Sequence, residues 1–464
     1  MNQKKELMKN TLIISIGKFS TQLVSFLLLP LYTSLLTTAE YGRYDLLNTI
    51  SIFLIPCITL LMEEGMFRFL IDAKTDKEKG EVFSITTMTT TISFLVWSIL
   101  ILIVGSIIKY PYTIYLILYL LASILSSLAG SSARGLGKFK IYSLFCFLSS
   151  FFNIFLNILF IAVFKIGITG LFISYIVANS LVSLWLLYKI NYYKLINFKG
   201  INKKKTKEMI KYSFPLVPNS ISWNAISLTD RLLITNILND GMNGVYSVAN
   251  RFPTIINTCY SYFNISWKES ASKVVDKENK NEFYNSVYIN LRHFLICVSI
   301  LLIAFLPFIF NLLIKNAYRE AYNYIPIMVM NVYFANLSNF SSGIFSAYKD
   351  TKILATTTIV AALINFLVGF IFIRKIGLYA TILATLISYI VIFIFRNYKL
   401  RKYIKLDKDK YLIPSFIILI IVSISYYVRN YLICFLTLII AFIYSYYLNK
   451  SLINSIILKF KRKR

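Results

Sequence analysis

Apolar residues along the chain gather in blocks of about 18 to 25, the length a helix needs to cross the hydrocarbon core of a bilayer, separated by short charged loops. The blocks predict spans at roughly 10–36, 44–63, 83–108, 112–131, 141–164 and 168–188, then at roughly 212–238, 244–267, 289–314, 323–347, 353–373 and 376–397. Two more follow at roughly 411–428 and 430–449. The expected fold class is therefore an all-α polytopic membrane protein with about fourteen transmembrane helices. A β-barrel would show shorter segments of strict alternation.

The pattern begins a second time near Lys211. Gly42-x-Tyr44-x-x-x-Asn48 returns as Gly244-x-Tyr246-x-x-x-Asn250, and Lys165-Ile-Gly167 returns as Lys375-Ile-Gly377. Between these lies a further pair, Asn153-Ile-Phe and Asn365-Phe-Leu. In order along the chain, these matches define two six-helix lobes. An even number of spans per copy relates the lobes by an axis along the membrane normal, the parallel type of transporter repeat, with the substrate path expected at their interface. The domains are then 1–190 (first lobe), 191–211 (a basic linker), 212–400 (second lobe) and 401–464 (two last helices and a basic tail).

Composition agrees: 57% of the 464 residues are hydrophobic and 15% charged, against about a quarter charged in soluble proteins. The 49 Lys and Arg against 20 acids, net +29, would suggest nucleic acid in a soluble protein. Here most of them sit in alternate loops and at both ends, the positive-inside pattern, so no nucleic-acid partner is expected and both termini read as cytoplasmic. The start resembles a signal peptide, but Lys18 interrupts its apolar run and no small-residue cleavage site follows, so it reads as an uncleaved first span. The five cysteines lie in apolar segments without metal-ligand spacing, and no phosphate-binding glycine loop is present. No catalytic residue, metal or cofactor is expected.

The chemistry rests on polar residues inside spans. Lys18, Gln22 and Ser25 share one helix face, and the repeat places Ser220, Asn224 and Ser227 at the equivalent positions. Lys18 lies about 12 Å along its span; it either snorkels to the headgroups or faces a hydrated cavity. Asp230, Arg231 and Arg251 fall in one layer of the second lobe. Asp230 is a candidate either for ion coupling or for pairing with an arginine, which would leave the other arginine for an anion. Asn250, Thr254, Asn257, Ser261 and Asn264 recur at steps of four and three, a full-length polar face. Glu64 and Arg68, with Glu63 beside them, and Glu269 in the repeat read as solvated charges at span ends or as a gate between lobes. His293, beside Arg292, has no acid partner apparent in the sequence.

Lys9-Asn10 with Gly17, Pro30-x-Tyr32 and Tyr41-Gly42-x-Tyr44 resemble the N-terminal signature of the Wzx-type O-antigen and polysaccharide flippases. Tyr212-Ser213-x-Pro215-Leu216-x-Pro218 through Asp230-Arg231 resembles their seventh helix. These flippases belong to the multidrug, oligosaccharidyl-lipid and polysaccharide exporter (MOP) superfamily. The resemblance implies a transporter, not an enzyme, in the bacterial cytoplasmic membrane. Its cargo would be an undecaprenyl-pyrophosphate-linked oligosaccharide, bound by Lys18, Gln22, Ser25, Asn224, Ser227, Arg231, Asn250, Arg251 and Asn257. Partners would be a polysaccharide polymerase and glycosyltransferases of the same pathway, serving O-antigen, lipopolysaccharide or capsule. Two rivals stand beside it: a cation-coupled multidrug exporter of the same superfamily, and a membrane polysaccharide polymerase, which would need a large arginine-bearing outer loop that this chain lacks.

Overall fold

The computed structural model describes residues 26, 28–198, 201–276, 278–348, 350, 352–407 and 409–461. Those residues are almost wholly helical and form two compact units, divided between Arg231 and Leu232. Among the described residues eight helices are long and apolar enough to cross a membrane, or nine if one bent pair counts as a single span.

The first unit opens with α1 (Leu29–Leu35) and continues with α2 (Thr38–Thr59), α3 (Met62–Asp72), α4 (Asp76–Ile108), α5 (Thr113–Gly135), α6 (Phe139–Asn157) and α7 (Ile168–Lys189). Two helices start earlier than hydropathy predicts, because capping boxes set their first turns. Thr37 accepts from the Glu40 backbone N–H while Glu40 accepts from that of Thr37, and Thr75 with Glu78 repeats the arrangement ahead of α4. α5 packs against α3 and α7, and α6 against α7. The second half of α4 faces outward, with Ile107 76% exposed, as expected of a lipid-facing surface.

The second predicted span is broken. Leu60 and Leu61 both adopt left-handed backbone at φ 52°, and α2 and α3 bend by 53° across them. Consecutive left-handed leucines are costly, and the break carries the chain into α3 instead of ending it. Glu63, read from sequence as a solvated end charge, is instead 4% exposed in the first turn of α3.

The basic linker is partly helical, as α8 (Tyr192–Leu195) and α9 (Lys203–Ser213). Asn202 caps α9 by accepting from the Lys204 N–H, and Lys205 pairs with Glu81 of α4 at 2.9 Å, so this segment is fastened to the first unit. α10 (Val217–Leu233) follows, Pro218 falling in its first turn, where a missing N–H costs nothing. The unit boundary lies inside α10, so residues 212–231 cluster with the helices that precede them.

The second unit holds α11 (Asp240–Val274), α12 (Lys280–Leu313), α13 (Ile325–Ala347), α14 (Lys352–Ile376), α15 (Leu378–Leu400), α16 (Leu412–Val428) and α17 (Tyr431–Lys461). α13 packs between α11 and α15, α14 lies along α15, and α12 carries α16 and α17. The internal repeat reappears in backbone detail. Gly167 before α7 has φ 59°, ψ −140°, and Gly377 before α15 has φ 58°, ψ −136°, a region essentially open to glycine alone. The glycine of the recurring Lys-Ile-Gly thus plays the same part in both copies, although Lys165 is left-handed at φ 54° and Lys375 lies inside α14.

Candidate functional site

In the first unit the polar stripe of α10 meets α2. Arg231 Nε donates to Asp45 Oδ2 at 2.7 Å, with 9% and 8% of the two side chains exposed. Its NH1 donates to the Ser227 carbonyl, and Asn224 Nδ2 donates to the Ile52 carbonyl of α2 at 3.0 Å. Asp230 is buried beside it, while Ser227 stays exposed. Arg231, expected from sequence to share one layer with Asp230 and Arg251, also reaches Asp45, a residue the sequence reading passed over.

One turn along α2, Asn48 Oδ1 accepts from Tyr119 of α5 at 2.8 Å. The Tyr119 ring stacks on Tyr175 of α7 at 3.8 Å, and the Tyr175 hydroxyl meets Ser123. A polar seam therefore runs from α2 to α7 through the first unit. Every buried polar group in such a seam must find a partner, because no water competes at that depth. Lys18, Gln22 and Ser25 lie outside the described residues.

In the second unit α11 is two-faced. Phe252, Ile256, Tyr260 and Trp267 are buried, and Trp267 Nε1 donates to the Phe340 carbonyl of α13 at 2.8 Å. On the other side Asn257 and Ser261 are exposed, and Asn250, Arg251, Thr254 and Asn264 are partly so. The predicted polar face exists and is accessible within this unit.

Sequence reasoning missed Arg396. This residue of α15 is 1% exposed, and its fork donates to the hydroxyls of Thr357, Thr358 and Ser342 and to the carbonyls of Ser338 and Leu354 at 2.9 to 3.2 Å. Five acceptors match its five N–H donors. An arginine inside a predicted span was the available signal. His293 was also misjudged: its Nε2 faces Asp409 Oδ2 at 2.7 Å, and Arg292 forms an ion pair with the same carboxylate. That acid lies 116 positions away in sequence.

Of the gate candidates, Arg68 binds Asp72 on its own helix at 2.7 Å, and Glu64 stands 3.9 Å from Arg134. Both pairs are local to the first unit; the side chain of Glu269 lies outside the described set. Among the described residues no group of three or more His, Cys, Asp or Glu is placed to hold a metal ion.

Residues 7–268, more than half of the chain, match the family described as "Polysaccharide biosynthesis protein", and residues 215–371 match the MatE family. No curated protein matches the chain in sequence. Among solved structures, the chain is similar to the lipid II flippase MurJ in an inward closed conformation, with TM-score 0.73 at 18% identity over 95% of this chain and 100% of that one. It is similar also to an inward-facing multidrug resistance MATE family transporter of the MOP superfamily, with TM-score 0.68 at 14% identity over 84% of this chain and 98% of that one. A MOP superfamily transporter from Pyrococcus furiosus gives TM-score 0.60 at 15% identity, over 86% and 96% of the respective chains. These likenesses establish the fold. The chain is a multi-pass membrane protein with the MOP superfamily fold, and it belongs to the polysaccharide biosynthesis protein family.

Proposed function

We propose that the protein flips an undecaprenyl-pyrophosphate-linked oligosaccharide from the cytoplasmic to the outer leaflet by alternating access, supplying O-antigen, capsular or exopolysaccharide synthesis. The observation that carries this reading is the family match over residues 7–268. The residue chemistry supports it. A pyrophosphate is bound by charge-assisted hydrogen bonds from cations, and the candidates to supply them are Lys18, Arg251 and Arg231, the last of which also holds Asp45. The amides and hydroxyls of Asn224, Ser227, Asn250 and Asn257, with Gln22 and Ser25, offer a sugar chain the hydrogen bonds it loses on leaving water. On this reading the chain crosses the membrane fourteen times with both termini cytoplasmic; eight or nine of those spans stand among the described helices that are long and apolar enough by themselves. A polymerase and glycosyltransferases of the same pathway are its expected partners.

Reconstitution in liposomes tests this. A fluorescent polyprenyl-pyrophosphate oligosaccharide should become accessible in the opposite leaflet only with the active protein. Lys18→Ala and Arg251→Ala should each slow it at least about tenfold, the loss of one charge-assisted hydrogen bond. Full activity of both variants would remove the cationic site.

The MatE match at residues 215–371 favours one second reading, a cation-coupled multidrug exporter. On that reading Asp230 carries the ion, and cationic dye efflux, not lipid flipping, follows an imposed ion gradient.

A further inference from the structure

A second arginine site lies in the other half of the chain, at the end of the second unit. A cavity of about 250 Å³ is lined by Arg319 and Arg429, with Asn311, Tyr322, Tyr431 and the end of α12, and no carboxylate is among its lining residues. We propose that it binds the phosphate group of a membrane lipid.

Its floor is built in advance of any ligand. The Tyr322 and Tyr426 rings stack at 3.9 Å, and each hydroxyl donates to the other residue's carbonyl, at 3.0 and 2.7 Å. Tyr427 donates to the Asn323 carbonyl. These bonds stitch the short helix 316–324 to the end of α16. Arg429 adopts left-handed backbone at φ 56° directly after α16, lays its guanidinium 5.0 Å over the Tyr322 ring and gives NH2 to Asn323 Oδ1 at 2.8 Å. One nitrogen of the fork is thereby fixed, and Arg429 lines the cavity. Arg319 stands three residues before Tyr322 on the same 3₁₀ segment, where positions i and i+3 eclipse. The neighbouring acid, Glu320, accepts from Tyr324.

Two arginines converging on a cavity without an acid suit phosphate, which takes paired N–H donors in a plane. The rim distinguishes a lipid from a free anion. Leu312, Val428, Tyr431 and Leu432 are 74%, 53%, 62% and 70% exposed, an apolar collar at the ends of α12, α16 and α17. Tyrosines and arginines beside such a collar mark the headgroup level of a bilayer. The occupant is therefore an amphiphile, with its phosphate on the arginines and its chain against the collar.

The cavity lies about 25 Å along α12 from Arg292, towards the end opposite the basic 401–411 segment. If that segment is cytoplasmic, as the proposed function holds, the site is at the outer leaflet, where flipped product arrives; only this assignment of side rests on that reading.

The test uses the full chain in nanodiscs, wild type against Arg319→Gln and the double variant with Arg429→Gln, and reads binding by native mass spectrometry. The probes are undecaprenyl pyrophosphate, phosphatidylglycerol and inorganic pyrophosphate. Undecaprenyl pyrophosphate affinity is expected to fall about tenfold with Arg319→Gln and about a hundredfold with both. A comparable loss for phosphatidylglycerol identifies a general lipid-phosphate site, and a loss confined to undecaprenyl pyrophosphate identifies a product site; either outcome supports the proposal. Inorganic pyrophosphate competing as well as the lipid overturns the lipid assignment, and unchanged binding in both variants overturns the site. Arg319 is exposed, so its variant keeps the test sound if losing Arg429 lowers the yield. Flipping assayed on the same samples separates the two readings: absent flipping with arginine-dependent binding rejects only the proposed function.

Discussion

Arg231 and Asp45 meet at 2.7 Å with more than nine-tenths of each side chain buried, fastening α10 to α2. Removing one member strands the other charge, which costs roughly 3–5 kcal/mol. Asp45→Asn should therefore sharply lower the amount of folded protein in the membrane, and adding Arg231→Gln should restore part of it. Size-exclusion profiles of fluorescent fusions measure this. Additive losses in the double variant would show that the two residues act separately.

The linker helix α9 bears Lys203, Lys204, Lys205 and Lys207 and should face the cytoplasm. In a variant lacking the five native cysteines, Lys204→Cys should react with a membrane-impermeant maleimide only after the cells are opened. Labelling in intact cells would invert the topology.

Close packing of α11 on α13 depends on Gly343. A Cβ there would come within 2.4 Å of Trp267 Nε1, the atom that donates to the Phe340 carbonyl. Gly343→Ala should destabilise the second unit by about 1–3 kcal/mol. Its thermal transition in detergent should fall, with Trp267→Phe relieving part of the loss. An unshifted transition would mean that the helices part at no cost.

The segment before α16 is held by α12. Asn285 donates to the Lys405 carbonyl and accepts from the Asp407 N–H, while Arg292 and His293 share Asp409. Asp409→Asn should loosen this segment and raise tryptic cleavage near Lys405 about tenfold, the equivalent of about 1.4 kcal/mol of local opening. Cleavage at the wild-type rate would place the restraint on Asn285 alone.

The exposed polar face of α11 should matter to transport and little to folding. Asn257→Ala is expected to leave stability within about 0.5 kcal/mol while slowing flipping. A loss of fold instead would make that face part of a packed interface.

The sequence by itself determined the helices, their order and the repeat, because hydropathy and turn chemistry are local. An apolar block of sufficient length has no other low-energy state in a bilayer, since its backbone must satisfy its own hydrogen bonds. The Lys-Ile-Gly turn needs a glycine in both copies, and the polar face of α11 is written in steps of three and four. What the tertiary structure decided is which charge meets which. Asp45 and Arg231 are 186 positions apart, and His293 and Asp409 are 116 apart; no local pattern links them. Asp230 was the acid that the sequence offered in the layer of Arg231 and Arg251, and nothing local pointed to Asp45. Neighbours in a helix point about 100° apart, so the acid that Arg231 reaches belongs to another helix. Glu63 shows the same limit: hydropathy placed it at the end of a span, and two left-handed leucines turned the chain so that it is buried. Pairing and burial depend on how helices pack, which is set by contacts distant in sequence.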